Sequence, residues 1–94
     1  MTLSIIAREA DTGLLGCAVT SCAVAAGRRI LHVRAGVGVS VAQASSMLSW
    51  GEDLLDAAAA GRDPAEAVAA LARADNQLAL VDAAGRVGVH TGAA

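Results

Sequence analysis

At 94 residues, 55% of them hydrophobic, the chain has room for one domain, and a domain of that size buries roughly two-thirds of the surface its unfolded form exposes. A net charge of −2 gives no electrostatic footprint for nucleic acid, and no run approaches the ~20 apolar residues that a membrane helix needs. The start, Met-Thr-Leu-Ser, lacks the basic region of a secretory signal, so the expected compartment is the cytoplasm.

The core has few large side chains to draw on, with one Trp and no Phe or Tyr. Ala, Val and Leu must fill it, and a layer of such small side chains needs packing against both faces. Burial under a partner is therefore expected.

Residues 2–8 alternate as a strand, with Leu3, Ile5 and Ala7 on one face and Thr2, Ser4 and Ile6 on the other. Asp11 and Gly13 are the turn formers before a second strand over 14–21, which makes a hairpin. A third strand is expected over 29–33 and a fourth over 37–43 after the Ala35-Gly36 break. Gly36 and Gly38 match neither a dinucleotide fingerprint nor a phosphate loop with its Lys, and they read as a bulge or close sheet packing.

Ser45 and Ser46 offer an N-cap to a helix that places Met47, Trp50, Leu54 and Ala58 on one face and ends at Gly61. Asp63-Pro64-Ala65-Glu66 combines an N-cap, Pro at the first helical position and an acidic capping-box residue, with Val68, Leu71 and Ala72 following on one side. Residues 76–81 form an apolar strand, 82–85 a tight turn and 86–91 its partner, in which Val87 and Val89 point one way and Gly88 and His90 the other. Four strands, two helices and two strands imply an α+β layering, with helices on one face of a sheet and a second sheet needed on the other.

Cys17 and Cys22 lie an odd number of residues apart and would face opposite sides of one strand, so two reduced thiols are expected. Cys17, among Leu15, Gly16, Ala18 and Val19, reads as a core thiol and not a nucleophile. His32 and His90 share no ligand spacing with each other or with the cysteines, so neither a metal nor a cofactor is expected. His32 reads as a surface or interface residue and Trp50 as a helix-to-sheet anchor.

The motifs Thr2-Leu-Ser-Ile-Ile-Ala-Arg8, Leu15-Gly-Cys-Ala-Val19, Arg34-Ala-Gly-Val-Gly38, Ala42-Gln43, Ser49-Trp-Gly51, Gln77-Leu78, Val81-Asp82, Gly85-Arg-Val87 and His90-Thr-Gly92 occur in this order. Together they resemble the amino-terminal half of the domain of unknown function 1028 family, which is placed in the N-terminal-nucleophile (Ntn) hydrolase superfamily. That resemblance implies an αββα sandwich of which residues 1–94 supply about half. It also implies amide-bond chemistry, on a small amide, cyclic imide or peptide bond, by a Thr, Ser or Cys whose free α-amine is its own base.

Two places for the nucleophile follow from the resemblance. Cleavage after Ala94 would make this an α chain and start a companion β chain, with Cys as the family's usual residue shortly beyond His90-Thr-Gly92; this is the preferred expectation. Removal of Met1 would instead expose Thr2 at the start of the first strand.

His90 then stands near a new amine terminus, where an imidazole can orient or protonate groups, or it is a strand histidine satisfied by a backbone carbonyl. Thr91 either donates to an oxyanion or closes the turn. Ser21, Gln43 and Asn76 stand at strand ends as candidate substrate contacts, each with a structural role as the alternative. A higher homo-oligomer is expected beside the companion chain. The reading from a different class is a noncatalytic binding or assembly half-domain that retains the fold.

Overall fold

The computed structural model describes residues 2–21, 30–44 and 49–93, and in it Thr2–Arg8 (β1) pairs antiparallel with Leu15–Ser21 (β2), from Thr2 opposite Ser21 to Arg8 opposite Leu15. Gly13 turns at φ 74°, as its position in the sequence suggests. Glu9, and not Asp11, ties the turn together. Its carboxylate accepts hydrogen bonds from the Thr12 hydroxyl at 2.6 Å and from the N–H groups of Thr12 at 2.7 Å and Asp11 at 3.1 Å. The Thr12 hydroxyl, then these backbone donors, hold the Glu9 carboxyl below its usual range.

The second sheet has the order β3-β4-β5-β6, all antiparallel, from Leu31–Arg34 (β3), Gly38–Ala44 (β4), Asn76–Asp82 (β5) and Val87–Thr91 (β6). The third strand begins later than its residue pattern suggests, and residues 22–29, with Cys22, lie outside the described residues. Gly38 lies against the Val81 carbonyl, a close approach within the sheet.

Register divides the side chains of this sheet between two faces. On one, Ala42 opposes Leu78 and Leu78 opposes His90, while Ser40 opposes Leu80. On the other, three rows cross β4, β5 and β6: Gln43–Gln77–Thr91, Val41–Ala79–Val89 and Val39–Val81–Val87.

Ser49–Ala59 (α1) and Pro64–Leu71 (α2) cover the first face. Trp50, Leu54, Leu55, Ala67 and Val68 pack there with Ala42, Leu78 and Leu80 in one buried cluster. Trp50 is thus the anchor its sequence position suggests. The Ser40 hydroxyl donates to the Gly51 carbonyl at 2.8 Å and ties α1 to β4.

The proposed cap at Ser45 and Ser46, with Met47, falls outside the described residues. At the other end Gly61, at φ 82°, donates to Ala58 O while Arg62 N–H reaches Ala57 O, a Schellman-type stop that requires the left-handed conformation. Asp63 sits at the N-cap of α2 but its side chain makes no capping bond, so this helix start relies on the fixed φ of Pro64.

The β1–β2 hairpin lies on the other face, over β3, β4 and β5, and buries Val39 and Val41 completely. Residues 4, 6, 8, 15, 17 and 19 of the hairpin are half-buried, and Cys17 among them is a free thiol. The layers are therefore helices, a four-stranded sheet and a two-stranded sheet, a mixed α+β arrangement with six strands and two helices among the described residues. Leu3 and Ile5 on the outer face of the hairpin, and Val87 and Val89 beside it, remain exposed.

At the edge of the sheet, Arg34 donates to Glu52 at 2.6 Å and to Asp56 at 3.0 Å, and His32 Nδ1 faces Glu52 at 3.3 Å. The Arg34 bond comes first in holding the Glu52 carboxyl low, and the same pairing raises Arg34. These exposed, solvent-screened pairs contribute little to stability by themselves. They orient α1 on β3.

Candidate active site

One end of the sandwich collects most of the residues that the sequence nominates. β1 begins there at Thr2, β2 ends at Ser21, β4 ends beyond Gln43, β5 begins at Asn76 and β6 ends at Thr91. Antiparallel pairing brings these ends together, because each strand reverses the direction of its neighbour.

Between the hairpin and the sheet at this end lies an open cleft of about 240 Å³. Leu3 and Ser4 of β1 form one wall, Gln43, Gln77 and Thr91 stand at its polar end, and Val41, Ala79 and Val89 form the apolar part. No Asp, Glu, Lys or Arg is among the described residues lining it.

Gln43 is buried, and its Nε2 donates to Gln77 Oε1 at 2.8 Å across the β4–β5 pair. Thr91 is exposed and continues the same row on β6. Gln77, present in the Gln77-Leu78 motif, carries no site role in the sequence reading; its signal is the polar pair Asn76-Gln77 opening an otherwise apolar strand, with the register of β4 and β5 placing Gln77 beside Gln43.

The other nominated residues are placed differently. His90 borders the cleft, yet alternation puts its ring on the helix-facing side, where Nε2 lies 2.6 Å from the Arg73 carbonyl. A carbonyl only accepts, so the proton is on Nε2. Asn76 is fully buried, and its amide is spent on the end of α2: Oδ1 accepts from Arg73 N–H and Nδ2 donates to Leu71 O, both at 3.0 Å. Thr2 and Ser21 are placed here as paired backbone positions. Ala94 lies outside the described residues.

Among the described residues, no three His, Cys, Asp or Glu side chains gather into a group able to hold a metal ion, and no helix is long and apolar enough to cross a membrane.

No curated protein matches the chain significantly. A crystal structure of a protein from Silicibacter pomeroyi, assigned to the DUF1028 family, is similar, with a TM-score of 0.90 and 31% sequence identity over 98% of this chain. The chain spans 45% of the length of that relative. The profile of the family of unknown function DUF1028 matches residues 2–94, and the chain belongs to that family.

Proposed function

We propose that the cleft is the active site of an Ntn-type amidohydrolase, that the chain supplies the amino-terminal portion of its αββα sandwich, and that Thr2 is the nucleophile. The carrying observation is where β1 begins. Leu3 and Ser4, the residues directly after Thr2, line the same cleft as Gln43, Gln77 and Thr91. Removal of Met1 gives Thr2 a free α-amine at that mouth.

In this mechanism the Thr2 hydroxyl oxygen adds to the amide carbonyl carbon as the α-amine takes the hydroxyl proton. The C–N bond then breaks as that proton passes to the leaving nitrogen, and an acyl ester remains on Thr2. Water attacks the ester, releases the acid and returns the hydroxyl. Thr91, at the polar end of the cleft, is the hydroxyl donor for the oxyanion. The exposed outer face of the hairpin, with Leu3 and Ile5, suits cover by a fourth layer.

The preferred sequence expectation, cleavage after Ala94 with the nucleophile on a companion chain, is the second reading. It is favoured by β6, which runs out at the same cleft through His90 and Thr91.

The test is to treat full-length protein, its amino terminus defined by mass spectrometry, with a β-lactone that acylates catalytic Thr, Ser or Cys. Label on Thr2, absent from Thr2→Ala, is the expected result. Label on a new terminus after Ala94 selects the second reading. No label and no turnover across a panel of small amides leaves a noncatalytic binding half-domain.

A further inference from the structure

We infer that the same cleft is a carboxylate site, in which the protonated α-amine of Thr2 and the side-chain amide of Gln77 hold a short aliphatic acid, so that the acid released by amide cleavage inhibits the enzyme below neutral pH. This rests on the reading of Thr2 as a free amino terminus at the cleft. It adds a ligand class and a mode of regulation.

The donors are already in place. Gln77 Oε1 accepts from Gln43 Nε2 at 2.8 Å, which fixes the amide in one orientation, and Gln77 Nε2 has no hydrogen-bond partner among the described residues. Thr91 follows Gln77 in the same cross-strand row, and Ser4 lines the cleft from β1, so two hydroxyls that can donate accompany the amide. Hydrogen bonds to a carboxylate are about twice as strong as neutral ones.

The charge balance favours an anion. No Asp or Glu is among the described residues lining the cleft, so a carboxylate meets no like charge there. Val41 and Ala79 offer an apolar floor to an aliphatic tail, while Leu3 and Val89 are exposed at the opening and leave the head group partly hydrated, which limits its desolvation cost. All seven cationic side chains of the chain are arginines, so within residues 1–94 the α-amine is the only primary amine.

The other titratable and charged groups of the surrounding strands do not take its place. His90 borders the cleft but its Nε2 proton goes to the Arg73 carbonyl, the Arg73 guanidinium lies over Trp50, and Asp75 lines no part of the cleft. Arg8 and Asp82 stand at the far ends of β1 and β5, and Cys17 is paired with Ile6 in the middle of the hairpin. An α-amine ordinarily titrates near about pH 8. Protonated, it attracts the carboxylate; neutral, it is the base that takes the Thr2 hydroxyl proton. Bound acid therefore holds the amine in the form that cannot act as the base.

The test uses full-length Thr2→Ala protein with Met1 removed, which keeps the α-amine and stops turnover. It is titrated with propionate, and with propionamide as the neutral control, at about pH 6.5 and about pH 9 with binding read by NMR. Propionate is expected to bind about tenfold more weakly at the higher pH, while propionamide does not change. Acetylation of the α-amine removes that pH dependence, and Gln77→Leu weakens propionate about tenfold at the lower pH.

Propionate affinity that is level across this range, or that acetylation leaves untouched, overturns the inference, as does unchanged affinity in Gln77→Leu. Acetylation alters no residue and decides the matter if Gln77→Leu does not fold. The two readings fail separately: pH-dependent propionate binding by a processed wild type that turns over no amide sinks the catalytic reading alone, and amide turnover that propionate does not inhibit at the lower pH sinks this inference alone.

Discussion

The ring of His32 lies directly against the backbone of Gly51, so that β3 and α1 meet where a Cβ at position 51 would overlap the imidazole. His32 and Ser40 are paired in the sheet, and together they hold Gly51 from two sides, one by contact and one through the Ser40 hydroxyl bond to its carbonyl. Gly51→Ala therefore destabilises by about 1–3 kcal/mol, although alanine alone improves a helix by about 1 kcal/mol over glycine. In a His32→Ala background the overlap is gone, and Gly51→Ala then stabilises by up to about 1 kcal/mol. Urea unfolding of the four proteins measures the cycle; a loss that persists without His32 points to some other obstruction.

Asp82 gives the turn between β5 and β6 a pH dependence. Its Oδ1 accepts from the N–H groups of Arg86 at 2.8 Å and Ala84 at 3.0 Å, and Oδ2 pairs with Arg86 Nε at 2.7 Å. Burial pushes the carboxyl up, but the bonds from Arg86 and Ala84 outweigh it and hold it below its ordinary 3.8. The folded value lies below the unfolded one, so the stabilisation is complete above the unfolded value and disappears as pH falls through the folded one. The stability difference between wild type and Asp82→Asn should be constant near about pH 6 and shrink toward about pH 3. A difference that stays level across thermal melts in this range would refute it.

Asn76 joins the end of α2 to β5 through two side-chain bonds, from Arg73 N–H and to Leu71 O, and its own carbonyl accepts from Gly92 N–H just after β6. Asn76→Ala leaves the part-buried Arg73 N–H and Leu71 carbonyl without this partner and costs about 1–3 kcal/mol in denaturant unfolding. With this structural assignment, any loss of activity in Asn76→Ala should track loss of folded protein, not a change in KM.

Arg73 lies over the Trp50 ring with its guanidinium carbon 5.1 Å from the ring centre. Trp50 is the only aromatic residue of the chain, so its fluorescence reports this contact without interference. Arg73→Ala should move emission to longer wavelength, raise acrylamide quenching and cost about 0.5–1 kcal/mol, the value of a partly exposed cation–π contact. Unchanged quenching would mean that other groups shield the indole.

Placing the nucleophile on Thr2 carries its own expectation. Thr2→Ser keeps hydroxyl and amine and should retain measurable amide hydrolysis, while Thr2→Ala should lose at least about a thousandfold in kcat with the fold unchanged. Equal activity of Thr2→Ala and wild type would transfer the nucleophile elsewhere.

Much of the architecture was legible because it is locally encoded. The alternation of Leu3, Ile5 and Ala7, the Pro64 helix start, the Gly61 stop and the 82–85 turn each state their backbone preference within a few residues. The burial of Trp50 followed from the same periodicity. The β1–β2 turn was less readable, since Glu9 reaches forward to donors that any of several acidic side chains could have served.

The candidate site was legible only in part, and the division follows from what selects a polar side chain's partner. Gln43, Thr91 and Thr2 could be marked as strand-end residues from sequence alone. That Gln77 stands between Gln43 and Thr91 depends on register, which fixes the row Gln43–Gln77–Thr91 across strands far apart in the chain. Asn76 and His90 carry equally suggestive chemistry, yet the end of α2 crosses them and takes the hydrogen-bonding capacity of the Asn76 amide and the His90 Nε2 proton. Local sequence thus determined which segments are strands and helices, because backbone preference is a short-range property. Which polar groups face the cleft and which are spent on the scaffold was decided by tertiary structure, because a hydrogen bond goes to whichever chain packing brings within reach.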